Sequence, residues 1–335
     1  MNVTSSPVST ELATEAATAH RAGLSEISNV LSALQSGNVE ALNTLTVENV
    51  RAQTSHQGTL SGRSELAGMF GPIPEGQNFE LSSSNLYLGG TMTEARGSGY
   101  LACRIVGNSQ LSFGVVFIID LRRGKAEDPW MVSALKVQIS WVEGDKELRP
   151  TWRFPAHERI WTIGDPLHVI VSEVDAPWHV YPDNLLRPDV KQEVEDTYAR
   201  YSWGIDQADI GLLTGSYTED AAGVFTPMGP LSGRHAIVGV QKDFRRAWPW
   251  MQHYGQVLAS AVDGDEAAMI VGRSIPQSNL EPGTFGAYYP LRLRRHGALW
   301  QISWFEYRPG WFNAKDVDLD RLLAVTMSGE GDRTE

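Results

Sequence analysis

Two residues in this chain have the surroundings for proton chemistry. Asp206 closes an aromatic helical run, Tyr198-Ala199-Arg200-Tyr201-Ser202-Trp203-Gly204-Ile205-Asp206, and His253 follows Gln252 at the head of a strand-like segment. An acid at a helix end, beside the negative end of the helix dipole and among aromatic rings, is placed to hold or direct a proton. Histidine is the side chain whose ordinary pKa lets it take and give a proton near neutrality. The two are the chain's only good candidates for acid–base chemistry. Taken singly, each has a plainer role, a solvent-facing acid at a helix end and a hydrogen-bonded core histidine.

Other chemistries find little support. The single cysteine, Cys103, lies in an apolar run (YLACRIV), which excludes a disulfide framework and a cysteine-built metal site. His157, His168 and His179 show no metal-ligand spacing, so no metal is expected. No phosphate loop, dinucleotide fingerprint or nucleophile elbow is present, and no cofactor is expected. A formal charge of −12 with interspersed acids and bases argues against nucleic acid and anionic membrane surfaces. The N-terminus lacks the pattern of a secretory signal and no apolar run is long enough to span a bilayer, which places the expected home in the cytoplasm. The aromatic content, 11 Trp, 10 Tyr and 10 Phe, suits a dense core, and some of these rings could line an apolar pocket for a small hydrophobic or aromatic partner. Tyr198, Tyr201, Trp203, Phe225, Trp248, Trp250, Tyr254, Tyr288 and Trp304 are the candidates to bind it. Tyr198, Tyr288, Tyr289 and Arg292 are the candidate donors to an oxyanion.

The elements that must position the pair occur twice. Val39–Arg63 lies over Ile210–Arg234 without a gap, and seven of 25 positions coincide, including Gly-x-Leu-Ser-Gly-Arg at 58–63 and 229–234. Average residue usage would give roughly one or two matches. Each copy reads as a helix, a capped second helix opened by Asn38 or Asp209, a tight turn at the shared Leu-Ser-Gly-Arg, and then strands, which in the second copy follow a third helix capped by Ser232 with Ile237, Val240 and Phe244 inward. Asn38 and Asp209 share a capping role, so that slot is structural. Gln35 stands where the second copy has Asp206, so the fold does not demand the acid. The turn arginines common to both copies, Arg63 and Arg234, read as braces. The expected organisation is a first domain at 20–142, catalytically silent, and a connecting strap at 143–189 rich in Pro and Trp. A second domain follows at 190–312 with the site, then a polar tail at 313–335. Residues 1–20 read as a frayed or weakly helical arm, and the chain beyond Leu323 reads as mobile.

The order of helix, helix, turn, helix and curled antiparallel sheet resembles the nuclear-transport-factor-2-like fold. Tyr201–Asp209, the Gly-Pro-Leu-Ser-Gly-Arg turn, Gln252-His253 and Trp300-Gln301-Ile302 resemble the SnoaL-like group of cyclases, dehydratases and lyases. Met251-Gln252-His253 is similar to the Thr-Gln-His of scytalone dehydratases. The resemblance implies an α+β chain of two tandem cone domains forming a pseudo-dimer, with a further homo-oligomer left open. It also implies that His253 pairs with Asp206 and moves protons at a substrate carbon. The second histidine and the tyrosine of scytalone dehydratases have no counterpart: Phe225 stands nearest the tyrosine, and 272–277 holds no histidine, so scytalone is not the expected substrate. The reading is a cofactor-independent lyase, dehydratase, isomerase or cyclase acting on an aromatic or polyketide-like small molecule. The alternatives are a non-catalytic binding or accessory protein, in which the pair would be too far apart to bond, and a dimerisation module with a filled cone.

Overall fold

The computed structural model describes residues 7–73, 75–155, 169–247, 251–276 and 280–330. The chain divides into two compact units, Met1–Pro188 and Asp189–Glu335. The first unit starts with α1 (Pro7–Ser36), α2 (Val39–Leu45), β1 (Thr46–Thr54), β2 (Gly58–Ser61) and α3 (Gly62–Ala67). Four long strands follow: β3 (Asn78–Gly90), β4 (Glu94–Val106), β5 (Gln110–Arg122) and β6 (Met131–Gly144). They form one sheet in the order β2-β1-β6-β5-β4-β3.

Helix α1 buries Ile27, Leu31 and Leu34, one stripe at helical spacing. It stops where Gly37 takes a left-handed conformation (φ +62°) and its N–H bonds back to Leu34 O, with Asn38 N–H to Ala33 O. Asn38 then caps α2 by accepting from the Ala41 N–H at 3.0 Å. Of the two readings of the arm, frayed or weakly helical, the helical one holds from Pro7 onward, as part of α1. Ala16, Ala19 and His20 are buried, and Trp130 donates its indole N–H to Ala19 O at 3.0 Å. Alanines read as nondescript in a sequence, yet they favour helix and let a helix lie close on a sheet.

The strap packs on the first unit. Trp152 is buried among its aromatic residues, and Gln138 Oε1 accepts from the Ile170 and Val171 N–H groups. Lys136 pairs with Asp175 at 2.7 Å, and Trp178, in α4 (Pro177–Val180), stacks on Tyr87 at 4.2 Å. His157, His168 and Trp161 lie outside the described residues.

The second unit repeats the first. It holds α5 (Val190–Asp206), α6 (Ile210–Gly215), β7 (Tyr217–Phe225), β8 (Gly229–Ser232), α7 (Arg234–Ala247), β9 (Gly255–Asp263), β10 (Glu266–Arg273), β11 (Thr284–His296) and β12 (Leu299–Asn313). Its sheet order, β8-β7-β12-β11-β10-β9, reproduces that of the first unit strand for strand. The chain is thus α+β, two tandem sheet-and-helix units.

Three expectations need correction. The sheets are mixed: β1 runs parallel to β6 and β7 parallel to β12, because the last strand of each meander returns beside the first. The residues read as a tight turn form a short strand, β2 or β8, ahead of the helix, α3 or α7, and the third helix expected in the second copy is α7. The tail is an ordered helix, α8 (Leu319–Ser328), packed on β9 and β10, with Asp318 accepting from the Arg321 N–H. The braces hold as expected: Arg63 donates to Thr46 O at 2.7 Å and Arg234 to Tyr217 O at 3.5 Å, equivalent places in the two copies. No described helix is long and apolar enough to cross a membrane.

The two interiors differ. In the first unit, Phe70, Phe79, Phe113 and Trp152 pack around His56, whose ring lies 4.3 Å from that of Trp152. His56 is fully buried, and its Nε2–H donates to Met69 O at 2.9 Å. Burial pushes its pKa from 6.5 down to about 4, against a weaker upward pull from that carbonyl. The unfolded chain therefore takes this proton near pH 6.5, while the folded chain refuses it until about pH 4. Its contribution to stability is whole above the higher value and is lost as pH falls to the lower one, a loss of about 3 kcal/mol. Denaturant titrations across this window should show that loss in the native chain and not in His56→Gln. An equal loss in the variant would assign the effect elsewhere.

Candidate active site

Helix α5 carries the acid at its last position. Its N-terminus is capped by Asp189, which accepts from the Gln192 N–H, and Val194, Tyr198, Tyr201 and Ile205 form its buried stripe. Gly204 is required because a Cβ there would press on the backbone of Leu213, so α5 and α6 can approach closely. Ala208 turns the chain with φ +58°, and Asp209 caps α6 by accepting from the Leu212 N–H at 2.9 Å. Arg245, near the end of α7, donates through Nε and Nη2 to Asp206 O at 3.2 and 2.7 Å. It places positive charge on the negative end of α5 and holds the residue that carries the acid.

His253 arrives on the extended segment that leads into β9. Asp206 Oδ2 accepts from the His253 backbone N–H at 2.7 Å, and Oδ1 bonds ring Nδ1 at 2.6 Å. Both residues are buried. One carboxylate thus fixes both the backbone and the ring of the same histidine. With Nδ1–H committed to the carboxylate, the lone pair of the neutral ring sits on Nε2. The segment can lie this close to α5 because residue 255 is glycine: a Cβ there would fall on the ring of Tyr198. In the first unit the same join is made without ionisable groups, by Gln35 Nε2 donating to Phe79 O at 3.0 Å.

A cavity of about 240 Å³ opens beside the pair, and His253 lines it. Its apolar wall includes Ile205, Phe225, Met228, Phe244 and Phe305, and its polar wall Tyr201, Gln241, Arg273, Tyr289 and Tyr307. Gln241, on α7, donates to Tyr217 Oη at 2.9 Å and Tyr201 Oη at 3.5 Å. Burial pushes the Tyr289 phenol up to about 12 and raises that of Tyr201 as well, so both stay protonated and remain donors. Burial acts to lower the Arg273 pKa, but the net shift is upward, and the Asp206 carboxylate favours the charged guanidinium.

Of the residues singled out from the sequence, the fold brings Asp206 and His253 into contact and sets Tyr201 and Phe225 in the cavity wall. Tyr198 is buried 5.8 Å (ring to ring) from both Tyr201 and Tyr289, and backs the wall without lining it. Trp203 and Tyr254 are buried away from the cavity, Tyr254 bonded to Gln252 Oε1 at 2.6 Å. Tyr288 and Trp304 do not line it: Tyr288 packs on Phe312, and Trp304 lies under the Arg292 guanidinium. Their sequence neighbours Tyr289 and Phe305 line it instead. Successive strand residues face opposite sides of a sheet, so an aromatic pair shows that one member faces inward without showing which. Trp248 and Trp250 lie outside the described residues. Tyr289, one of the candidate donors, is thus in the wall, whereas Arg273 and Tyr307 would have followed only from a fixed strand register, which sequence alone does not supply.

Residues 189–305 match the family model of the SnoaL-like domain, so the second unit carries a SnoaL-like domain. Among solved structures the chain is similar to hexachlorocyclohexane dehydrochlorinase LinA-type3 from Novosphingobium barchaimii: 17% identity, TM-score 0.33, 38% of this chain and 93% of that one. It is also similar to a provisionally assigned scytalone dehydratase from Novosphingobium aromaticivorans, at 14% identity and TM-score 0.31, covering 37% of this chain and 86% of that one. A nuclear-transport-factor-2-like protein from Cytophaga hutchinsonii matches at 14% identity and TM-score 0.29, covering 35% of this chain and 93% of that one. No curated protein matches significantly.

Proposed function

We propose that the second unit is a cofactor-independent acid–base enzyme of the lyase or isomerase kind, a dehydratase or cyclase, acting on a small aromatic or polyketide-like molecule. The observation that carries this reading is the buried Asp206–His253 pair, bonded at 2.6 Å in the wall of a cavity. A histidine oriented by a carboxylate through Nδ1 has its basic nitrogen at Nε2, where it can take a proton from carbon and return it to a leaving oxygen or to another carbon. Asp206 compensates the imidazolium formed in between and keeps the ring from rotating. Tyr201 and Tyr289, both protonated, supply hydrogen bonds that strengthen as a substrate oxygen gains charge. The aromatic wall excludes water and receives a flat apolar body. The first unit, with Gln35 in place of the acid and an aromatic interior, has no part in the chemistry.

Isotope exchange tests this whichever product forms. The full chain is incubated in D₂O with a panel of aromatic ketones, hydroxyketones and aromatic acids bearing an acidic C–H. Deuterium entry and elimination are followed by NMR and mass spectrometry. Catalysed exchange or elimination with at least one compound is expected. Compounds that bind in the cavity yet never exchange or react would sink the proposal in favour of a binding protein.

A further inference from the structure

Arg273 is the one cavity-lining cation among the described residues, and the proposed proton transfer makes no use of it. It ends β10, in register with Gly255 on β9 and Ala287 on β11. The neighbouring Ser274 N–H bonds Tyr254 O at 2.9 Å, so this end of β10 is tied to the segment that carries His253. Both cross-strand neighbours of Arg273 are small, which leaves room for a guanidinium to enter the cavity instead of being covered. It shares the cavity wall with the Tyr289 phenol, and among the described residues it has no ion-pair partner. Asp206 is the carboxylate whose charge it feels, but both oxygens of that carboxylate are taken by His253. A charged guanidinium held in a largely buried wall without a bonded counter-charge is costly, and an anion bonded to it removes much of that cost.

We propose that Arg273, together with Tyr289, binds the carboxylate of the substrate, so that the substrate is a small aromatic acid held with its anionic group on β10 and a C–H bond toward His253. The apolar wall at Phe225, Phe244 and Phe305 takes the ring. The proposal rests on the reading of this cavity as the site of the acid–base reaction and narrows its substrate class. Planar, forked guanidinium donors suit a carboxylate, and the phenol of Tyr289 adds a neutral donor to the same group.

Binding of matched acid and amide probes, 2-naphthoate against 2-naphthamide and benzoate against benzamide, is measured by calorimetry on the full chain. The native protein should prefer the acid by about 10- to 100-fold, the scale of a hydrogen bond to a charged group. Arg273→Gln should erase the preference while leaving amide affinity unchanged, and Arg273→Lys should retain part of it. Tyr289→Phe should reduce it several-fold, and this variant with Arg273→Lys decides the matter if Arg273→Gln fails to fold by circular dichroism. Equal affinity for acid and amide, no binding of either acid, or a preference that survives in Arg273→Gln would overturn the assignment. His253→Ala separates the two readings. If the acid preference persists there and exchange activity also persists, the dyad reading fails and the anion site stands. If the native chain shows exchange without any acid preference, the anion site fails and the dyad stands.

Discussion

Asp206→Asn and His253→Ala are each expected to lower turnover by about 10²-fold or more, the usual scale for a lost acid–base group. The substrate for this measurement is whichever compound shows deuterium exchange. An asparagine at 206 keeps the size of the side chain but turns an N–H toward His253 Nδ1 or accepts from it without charge. The ring can then flip tautomer, and the imidazolium loses its compensating carboxylate. Ligand affinity should change little in either variant, because both groups act on the moving proton. The double variant should be scarcely slower than either single one, since residues that work as a unit are not additive. Independent, multiplying effects would mean that the hydrogen bond between them is structural. Full activity in His253→Ala would remove the mechanism.

Trp152→Ala is expected to cost about 3–5 kcal/mol of stability, the range for truncating a buried large aromatic residue. Trp152 sits between His56 (ring centroids 4.3 Å apart) and Phe113 (5.4 Å), with the Arg149 guanidinium 5.4 Å from the ring centre. Arg149 itself is buried and donates to Phe70 O at 3.0 Å, so the ring and the arginine close this end of the first interior together. Equilibrium denaturation of the native chain, Trp152→Ala and Trp152→Phe should place the native chain highest, the alanine variant lowest and the phenylalanine variant between. A cost below about 1 kcal/mol would place Trp152 outside the core and reopen the first unit as a candidate site.

Much of the architecture was legible because duplication writes the same instructions twice. The caps at Asn38 and Asp209, the braces at Arg63 and Arg234, and the difference between Gln35 and Asp206 all emerge from aligning one half with the other. Local rules served where the physics is local. A capping side chain bonds an amide only three residues away, so its own neighbourhood decides it. The choice between a frayed and a weakly helical arm at 1–20 stayed open for a related reason: an alanine-rich segment carries little pattern of its own, and what orders α1 from Pro7 is contact with residues such as Trp130, far along the chain.

The sequence by itself determined that Asp206 and His253 are the pair to watch, that the acid ends an aromatic helix, and that the fold occurs twice. These follow from residue types, short-range spacing and internal comparison. Only the tertiary structure decided that the two side chains meet, since 47 residues separate them and their bond depends on Gly255 letting a strand lie against Tyr198. It also decided which face of each strand looks inward, and so chose Tyr289 over Tyr288 and put Phe305 in the place of Trp304. Arg273 entered the site on the same ground. Strand alternation has a period of two, so a shift of one residue exchanges the two faces, and register is set by pairing across the sheet and not by any residue's own identity.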